Sequence, residues 1–235
     1  MNAVLKEILT TKQVSNGSTV FPLHSNMSPD EGELITRVMQ AAQPTTSLEV
    51  GFAYGISALY ACEAIAGNRT SFRHIVIDPN QSTQWHGIGL KNVQRAGYGD
   101  KVQLREKPSE IALPELLAEG TRVQAAIIDG WHTFDHTLVD FFYVNKMLDV
   151  GGIVILDDTN WPSVLRVVDH LLTYPAYELF ATTRKPALGM RGRLRQKLAQ
   201  YTKSSLLKRT WDYPACMAFR KITADDRNWD WHRDF

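Results

Sequence analysis

The feature that most constrains the fold is a regular alternation of apolar segments with helical stretches. Short apolar segments at 47–50, 74–78, 101–105, 124–129 and 151–158 are each followed by a stretch rich in helix-forming residues. Runs such as AAIID and IVIL are almost continuously apolar, which is typical of strands buried on both faces of a parallel sheet. Repeated strand–helix units predict a doubly wound α/β fold, with the carboxyl ends of its parallel strands along one edge.

The two ends of the chain are expected to complete this domain. YELFAT at 177–182 and ACMAFRKI at 215–222 resemble two further strands, which gives a mostly parallel seven-stranded sheet with helices on both faces. Residues 1–28 are interpreted as an N-terminal arm. We therefore predict a single domain over residues 1–235.

Helix starts and stops are marked by capping residues. Ser28 and Glu31 form a capping-box signature, and Pro29 stands at the first helical position. The helices are predicted at about 29–42, 55–66, 86–96, 109–118, 133–148 and 162–172.

The stretch LEVGFAYGIS at 48–57 places Gly51 and Gly55 between an apolar strand and a helix. The dinucleotide fingerprint GxGxxG needs glycines where Ala53 and Ile56 stand here, and no Gly-Lys-Ser/Thr follows, as a Walker A loop requires. A dehydrogenase is therefore disfavoured, and the loop favours a ligand without a pyrophosphate. A tight turn with no ligand is the alternative.

Asp78 ends the strand HIVID, where an acid is placed to accept hydrogen bonds from both ribose hydroxyls of a nucleoside. A helix N-cap is the alternative for Asp78. Ser109 follows the strand KVQLR, and an N-cap is again the alternative there.

Acidic side chains also follow two later strands, in IIDGWHTFDH at 127–136 and VILDDTN at 154–160. Since adjacent strand ends meet on the ligand edge, Asp129, Asp157 and Asp158 are expected to converge. Three clustered carboxylates repel one another unless a cation neutralises them, and oxygen ligands suit Mg²⁺, with Mn²⁺ and Ca²⁺ as alternatives. Helix capping and solvent exposure are the alternatives to a metal site.

The pattern E-V-G-x-x-x-G-x-S resembles motif I of the class I S-adenosylmethionine (SAM) dependent methyltransferases. With Tyr54 and Ser57 it is similar to the catechol O-methyltransferase-like group, and the double aspartate is similar to the macrocin-type sugar and antibiotic O-methyltransferases. The resemblance covers about residues 28–175. It implies SAM as cofactor, one metal-binding aspartate after the fourth strand, and an acidic-amide or acidic-acidic pair after the fifth, positions that Asp129 and Asp157-Asp158 fill.

The resemblance also implies roles for individual residues. Gly51 and Gly55 would let the backbone approach the methionine part of SAM, Ser57 would hold its carboxylate at the helix N-terminus, and Glu49 would lie near its ammonium group. Ser109, with Glu110 as a weaker candidate, would contact the adenine. Trp131 would pack against the adenine or line the pocket, with core packing as the alternative. The predicted cofactor-binding residues are Glu49, Gly51, Tyr54, Gly55, Ser57, Asp78, Ser109, Asp129 and Trp131.

His132 stands where the catechol enzymes have their catalytic lysine, and a histidine there is suited to act as general base. Asp129 is the alternative base, and His136 is a secondary candidate. The prediction is metal-assisted O-methylation of a hydroxyl on a small molecule: a sugar, a catechol-like compound or a natural product. A non-catalytic SAM-binding protein and a hydroxylase-type enzyme of the same fold group are the alternatives.

Residues 179 to 211 hold nine Lys or Arg and no acid, and residues 183–211 are interpreted as a basic helical insertion. It is predicted as a lid over the acceptor site, an anionic-membrane contact or a solvated helix. No stacking aromatics accompany these charges, so nucleic acid is not expected as a partner. The chain has a net charge of +1, two distant cysteines and no transmembrane-length apolar run, so a cytoplasmic protein is expected. A homodimer is possible, and the sequence does not decide the oligomeric state.

Overall fold

A computed structural model of the chain describes residues 1–24, 27–184 and 213–235. Its elements, in chain order, are α1 (Ala3–Thr11), β1 (Gln13–Ser15), β2 (Val20–Pro22), α2 (Pro29–Ala42), β3 (Thr46–Val50), α3 (Ile56–Ala66), β4 (Arg73–Ile77), α4 (Ile88–Arg95), β5 (Val102–Arg105), α5 (Ser109–Ala118), β6 (Val123–Ile128), α6 (Phe134–Met147), β7 (Leu148–Leu156), α7 (Pro162–Leu171), β8 (Tyr177–Thr182) and β9 (Met217–Lys221).

The central sheet has seven strands in the order β5-β4-β3-β6-β7-β9-β8. The strands are parallel except β9, which runs antiparallel to both of its neighbours, β7 and β8. One apolar core packs α1, α2, α3 and α4 against one face of the sheet, and a second packs α5, α6 and α7 against the other. The predicted doubly wound, mostly parallel seven-stranded α/β fold is confirmed.

The predicted capping box at the start of α2 is present. Ser28 Oγ accepts the backbone N–H of Glu31 at 3.4 Å, and Glu31 Oε2 accepts the backbone N–H of Ser28 at 2.6 Å. The helix ends at Ala42, as predicted, because Gln43 adopts a left-handed conformation. Within the described residues, no helix has both the length and the apolar character needed to cross a membrane.

The largest difference from the predicted element boundaries lies at the N-terminus. The predicted arm contains α1 and a two-stranded hairpin of β1 and β2. Helix α1 is part of the first core because Val4, Leu5 and Ile8 lie on one helical face and are buried. A three-residue strand such as β1 is too short for a periodic sequence pattern to predict it.

The predicted basic insertion at 183–211 lies almost wholly outside the described residues. Arg184, at its start, is described: its guanidinium lies 3.6 Å from Asp30 and 3.7 Å from Glu33, both in the first turns of α2. The three interpretations of the insertion stay predictions.

Candidate active site

A cavity of about 630 Å³ lies at the carboxyl ends of β3, β4 and β6. Strands β4 and β5 continue the sheet on one side of β3, and β6 and β7 continue it on the other. This is the point at which the strand order reverses, where open α/β sheets bind their ligands. The predicted site residues that line the cavity are Gly51, Tyr54, Ser57, Asp78, Ser109, Glu110, Asp129, Trp131, His132 and His136.

Gly51 is required by a close approach between two strand ends. Its φ is +91°, and a Cβ at this position would lie 2.7 Å from the carbonyl carbon of Asp129 and overlap its oxygen. The backbone N–H of Asp129 also donates to the carbonyl of Val50 at 2.8 Å. The sequence predicts Gly51 because the backbone has to approach a cofactor. The structure adds a second reason: any side chain at this position would displace Asp129.

Asp78 holds the glycine loop in place. Its Oδ2 accepts the backbone N–H groups of Phe52 at 3.3 Å and Ala53 at 2.8 Å, and its Oδ1 accepts that of Asn80 at 2.8 Å. Ala53 has a φ of +44°, a conformation that non-glycine residues adopt only when their surroundings hold them there. The carboxylate borders the cavity, and its two oxygens can accept further hydrogen bonds. A contact between Asp78 and the ribose hydroxyls stays a prediction.

Glu49 lies beneath the cavity and does not line it. Its side chain is fully buried, and its two oxygens accept hydrogen bonds from Ser57 Oγ and His74 Nε2. The predicted contact between Glu49 and the cofactor ammonium group stays a prediction. Ser57 stands between Glu49 and the cavity.

The far end of the cavity is formed by Ser109 and Glu110, at the start of α5. Asp140 of α6 lies directly behind it and is buried. Burial raises the pKa of Asp140 to about 6, although a hydrogen bond from Ser109 opposes the rise. Asp140 is thus a neighbour of the Ser109 hydroxyl, at the place where the adenine contact is predicted.

The acidic residues after β6 and β7 meet around His132. The Nδ1 atom of His132 lies 3.3 Å from Asp158 Oδ2, and its Nε2 atom lies 3.9 Å from Asp129 Oδ1. Asp157 is also a charged neighbour of Asp129. The three aspartates and the histidine that the sequence singles out are therefore neighbours in space, although only Asp129 and His132 line the cavity.

The carboxylates of this cluster all have raised pKa values. The pKa of Asp129 lies well above its usual value, first because the group is buried and then because Asp157, Glu49 and Asp158 are negatively charged neighbours. Burial, followed by the charge of Glu31, raises the pKa of Asp157 to about 6. Burial also raises the pKa of Asp158, whereas His132 lowers it. Such a cluster favours an added positive charge.

The carboxylate oxygens fit a hard divalent cation by their chemistry, but the tightest grouping of ligand atoms differs from the predicted trio. Single ligand atoms of Glu31, Asp157 and Cys216 lie within 4.8 Å of one another. Cys216 Sγ donates a hydrogen bond to Asp157 Oδ1. Among the described residues, Asp129, Asp157 and Asp158 do not form a group of this tightness. Their role as metal ligands stays a prediction.

Several residues of the site carry no motif in the sequence. Met27, Asn80, Gln84 and Trp85 line the cavity. The ring of Trp85 lies 5.1 Å from that of Tyr54, whose hydroxyl is 2.7 Å from His24 Nε2. These residues come from the segment before α2 and from the β4–α4 connection, where no periodicity or spacing indicates which side chains turn inward.

Comparison with known proteins agrees with this geometry. A family model described as a methyltransferase domain matches residues 48–159. The chain is 26% identical to caffeoyl-CoA O-methyltransferase of Petroselinum crispum, over 57% of this chain and 54% of that protein. It is 29% identical to tricin synthase 1 of Oryza sativa subsp. japonica, over 57% of this chain and 53% of that protein. The chain thus spans about half the length of the curated relatives it matches.

Solved structures share the fold over nearly the whole chain. An O-methyltransferase from Bacillus cereus, solved with SAH, has a TM-score of 0.68 at 15% identity, over 94% of this chain and 91% of that one. The O-methyltransferase TomG from Streptomyces achromogenes, solved with SAM, has a TM-score of 0.65 at 14% identity, over 95% of this chain and 91% of that one. Residues 48–159 are therefore similar to a methyltransferase domain, and the chain has the fold of the solved O-methyltransferases.

Proposed function

We propose that the protein transfers the methyl group of SAM to a hydroxyl oxygen of a small molecule. The observation that carries this proposal is that one cavity is bordered both by the glycine loop with Asp78 and by His132 with Asp129. The first pair suits a nucleoside, and the second suits removal of a proton. A volume of about 630 Å³ is within the usual range of small-molecule sites.

The proposed cofactor position follows the strand ends. Asp78 accepts hydrogen bonds from the ribose, Ser109 contacts the adenine, and Ser57 at the start of α3 contacts the methionine part. Tyr54 and Trp131 border the same cavity and supply apolar surface. The sulfonium is thereby directed towards His132.

His132 is the proposed general base. Its Nδ1 lies 3.3 Å from Asp158 Oδ2, which positions the ring, whereas its Nε2 is 3.9 Å from Asp129 Oδ1, beyond hydrogen-bonding distance. Nε2 is therefore available to take the proton of the acceptor hydroxyl as the methyl group is transferred. Asp129 and Asp158 then stabilise the imidazolium, and alignment of the reacting atoms supplies much of the rate enhancement.

Metal assistance is part of the proposal. A divalent cation held by Asp129, Asp157 and Asp158 would lower the pKa of the acceptor hydroxyl and orient it. The chemistry of the ligand set supports this: the pKa values of Asp129 and Asp157 are raised first by burial and then by neighbouring negative charges, which a bound cation would offset.

The acceptor is proposed to carry a ring with an apolar face. Trp131 and Trp161 are 67% and 51% exposed, large values for tryptophan, and Trp131 lines the cavity. The Trp161 ring is 5.5 Å from that of His132. Aromatic surfaces of this kind pack against phenolic rings and against sugar rings. The names of the relatives make caffeoyl-CoA a candidate alongside catechols and sugars.

The test is transfer of a labelled methyl group from SAM to caffeoyl-CoA, catechols and sugar hydroxyls, with and without EDTA. We expect product with wild-type protein, and a loss of about a hundredfold or more in His132→Gln with little change in affinity for S-adenosylhomocysteine (SAH). His232→Gln, which replaces an 81% exposed histidine near the C-terminus, is the matched control and should behave as wild type.

Three outcomes decide between the alternatives. Tight SAH binding without transfer to any acceptor would support a non-catalytic SAM-binding protein. Unchanged activity in EDTA would remove the cation from the proposal. Wild-type turnover in His132→Gln would remove this histidine as the base.

A further inference from the structure

The connection between β6 and α6, residues 129–133, carries His132 and is held by the start of α7. Ser163 Oγ donates a hydrogen bond to the main-chain carbonyl of His132 at 2.6 Å, across 31 positions of the chain. Among the residues that the structure describes, this is the hydrogen bond that links the main chain of residues 130–132 to a residue outside the connection. The neighbouring Trp131 is 67% exposed, so its side chain adds little packing that would hold the connection in place.

The hydroxyl of Ser163 can make this contact because α7 does not use it as a cap. The helix begins with Pro162, which has no N–H to satisfy, and the N-cap residue Trp161 makes no capping hydrogen bond with its side chain. A carbonyl oxygen only accepts, so the single hydroxyl proton of Ser163 is directed to His132. Alanine at position 163 would therefore remove this one bond without removing a helix cap.

The segment 158–163 also holds the ring of His132. Asp158 Oδ2 lies 3.3 Å from His132 Nδ1. Asp158 has a φ of +51°, and its carbonyl accepts the N–H of Trp161 at 2.8 Å. The Trp161 ring lies 5.5 Å from the His132 ring. One short segment thus contacts both the main chain and the side chain of His132.

This segment is itself anchored to the central sheet. Thr159 is fully buried, its N–H donates to the carbonyl of Ala215 at 2.7 Å, and its hydroxyl donates to the carbonyl of Pro214 at 2.6 Å. Both acceptors stand just before β9, which pairs with β7. The hydrogen bond from Ser163 therefore ties His132 to a fixed part of the fold.

We propose that Ser163 is a positioning residue for His132: it holds the main chain of the general base while Asp158 positions the ring, so that Nε2 keeps its place at the cavity. This inference rests on the proposed function. His132 lines the cavity, whereas Ser163 does not. Loss of the Ser163 hydroxyl should therefore impair proton removal and the alignment of the reacting atoms, and it should leave cofactor binding unchanged.

The test compares methyl-transfer kinetics and SAH affinity in three variants. Ser163→Ala should lower kcat by between about tenfold and a hundredfold, with the KM for SAM and the affinity for SAH unchanged. Ser163→Thr keeps the hydroxyl and should recover most of the turnover. Thr173→Val is the matched control: it removes a hydroxyl that donates to the carbonyl of His170 at 2.7 Å, beyond the opposite end of α7, and it should behave as wild type.

A double-mutant cycle separates positioning of the base from a loss of stability. Ser163→Ala added to His132→Gln should cause little further loss of turnover, because the side chain that the hydroxyl positions is already absent. If Ser163 only stabilised the fold, its replacement would lower turnover by the same factor in both backgrounds.

Wild-type turnover in Ser163→Ala would overturn the inference, as would a parallel loss of SAH affinity or an equal effect in the His132→Gln background. Wild-type protein that transfers the methyl group to none of the acceptors would refute the proposed function, and the inference with it. Normal transfer by the wild type together with any of the three results above would refute the inference alone.

Discussion

Replacement of Gly51 by alanine is the substitution for which the structure gives the clearest quantitative expectation. Two separate costs apply, a backbone conformation with φ of +91° and a collision with the main chain of Asp129. Gly151 offers a matched control, because its φ is +90° and no atom lies within 4 Å of a Cβ built there. Gly151→Ala therefore carries the conformational cost without the collision.

The expected magnitudes follow from these two costs. An alanine in a left-handed conformation is disfavoured by about 1–2 kcal/mol, which is the whole effect expected for Gly151→Ala. In Gly51→Ala the new Cβ lies 2.7 Å from the carbonyl carbon of Asp129, against at least 3.4 Å in ordinary contact, and it overlaps the carbonyl oxygen, so the end of β6 has to move by more than about 0.7 Å. Overpacking of this kind adds about 1–3 kcal/mol.

Urea denaturation gives the free energy of unfolding of both variants, and SAH titration and methyl transfer report on the site. We expect Gly51→Ala to be the less stable variant by about 1–3 kcal/mol. We also expect it to lose about a hundredfold in turnover, because Asp129 and the cofactor loop move relative to each other. Equal destabilisation in the two variants, with normal turnover in Gly51→Ala, would refute the close approach as the reason for this glycine.

Two further predictions concern stability. Burial raises the pKa of Asp140 to about 6, so the folded protein binds this proton more tightly than the unfolded chain does. The free energy of unfolding of the wild type therefore falls by up to about 3 kcal/mol as the pH rises from about 3.8 through 6. Asp140→Asn, which keeps an acceptor for Ser109, should therefore exceed wild type in urea midpoint at pH 7.5 and lose that advantage at pH 4; a difference independent of pH would contradict this. Ser28→Ala should lower the free energy of unfolding by about 1 kcal/mol because the capping box is lost, whereas Ser28→Thr should retain most of it; no loss in the alanine variant would show that the cap contributes nothing.

The parts of the fold that were predictable are those in which local sequence and tertiary burial agree. The strands β6 and β7 are almost continuously apolar because both of their faces are covered, and the pattern alone identifies them. The start of α2 was predictable because its cap uses residues adjacent in the chain. The meeting of Asp129 with Asp158 follows from parallel strands whose carboxyl ends share one edge.

The parts of the site that were not predictable depend on which way a side chain faces and on contacts between distant segments. Glu49 is followed by a cofactor-type loop, but it lies on the face of β3 that packs towards α3, so it is buried beneath Ser57. Cys216 reaches Asp157 from a residue 59 positions away, because β9 pairs with β7 in an antiparallel register. No local pattern in the sequence encodes either arrangement.

We propose that the cavity at the carboxyl ends of β3, β4 and β6 holds SAM with its sulfonium facing His132. A crystal structure of the protein with SAH and Mg²⁺ tests it most directly. We predict ribose hydroxyls on Asp78, adenine beside Ser109, and the sulfur on the side of the cavity that His132 borders. SAH bound elsewhere, or bound with its sulfur turned away from His132, would contradict the claim.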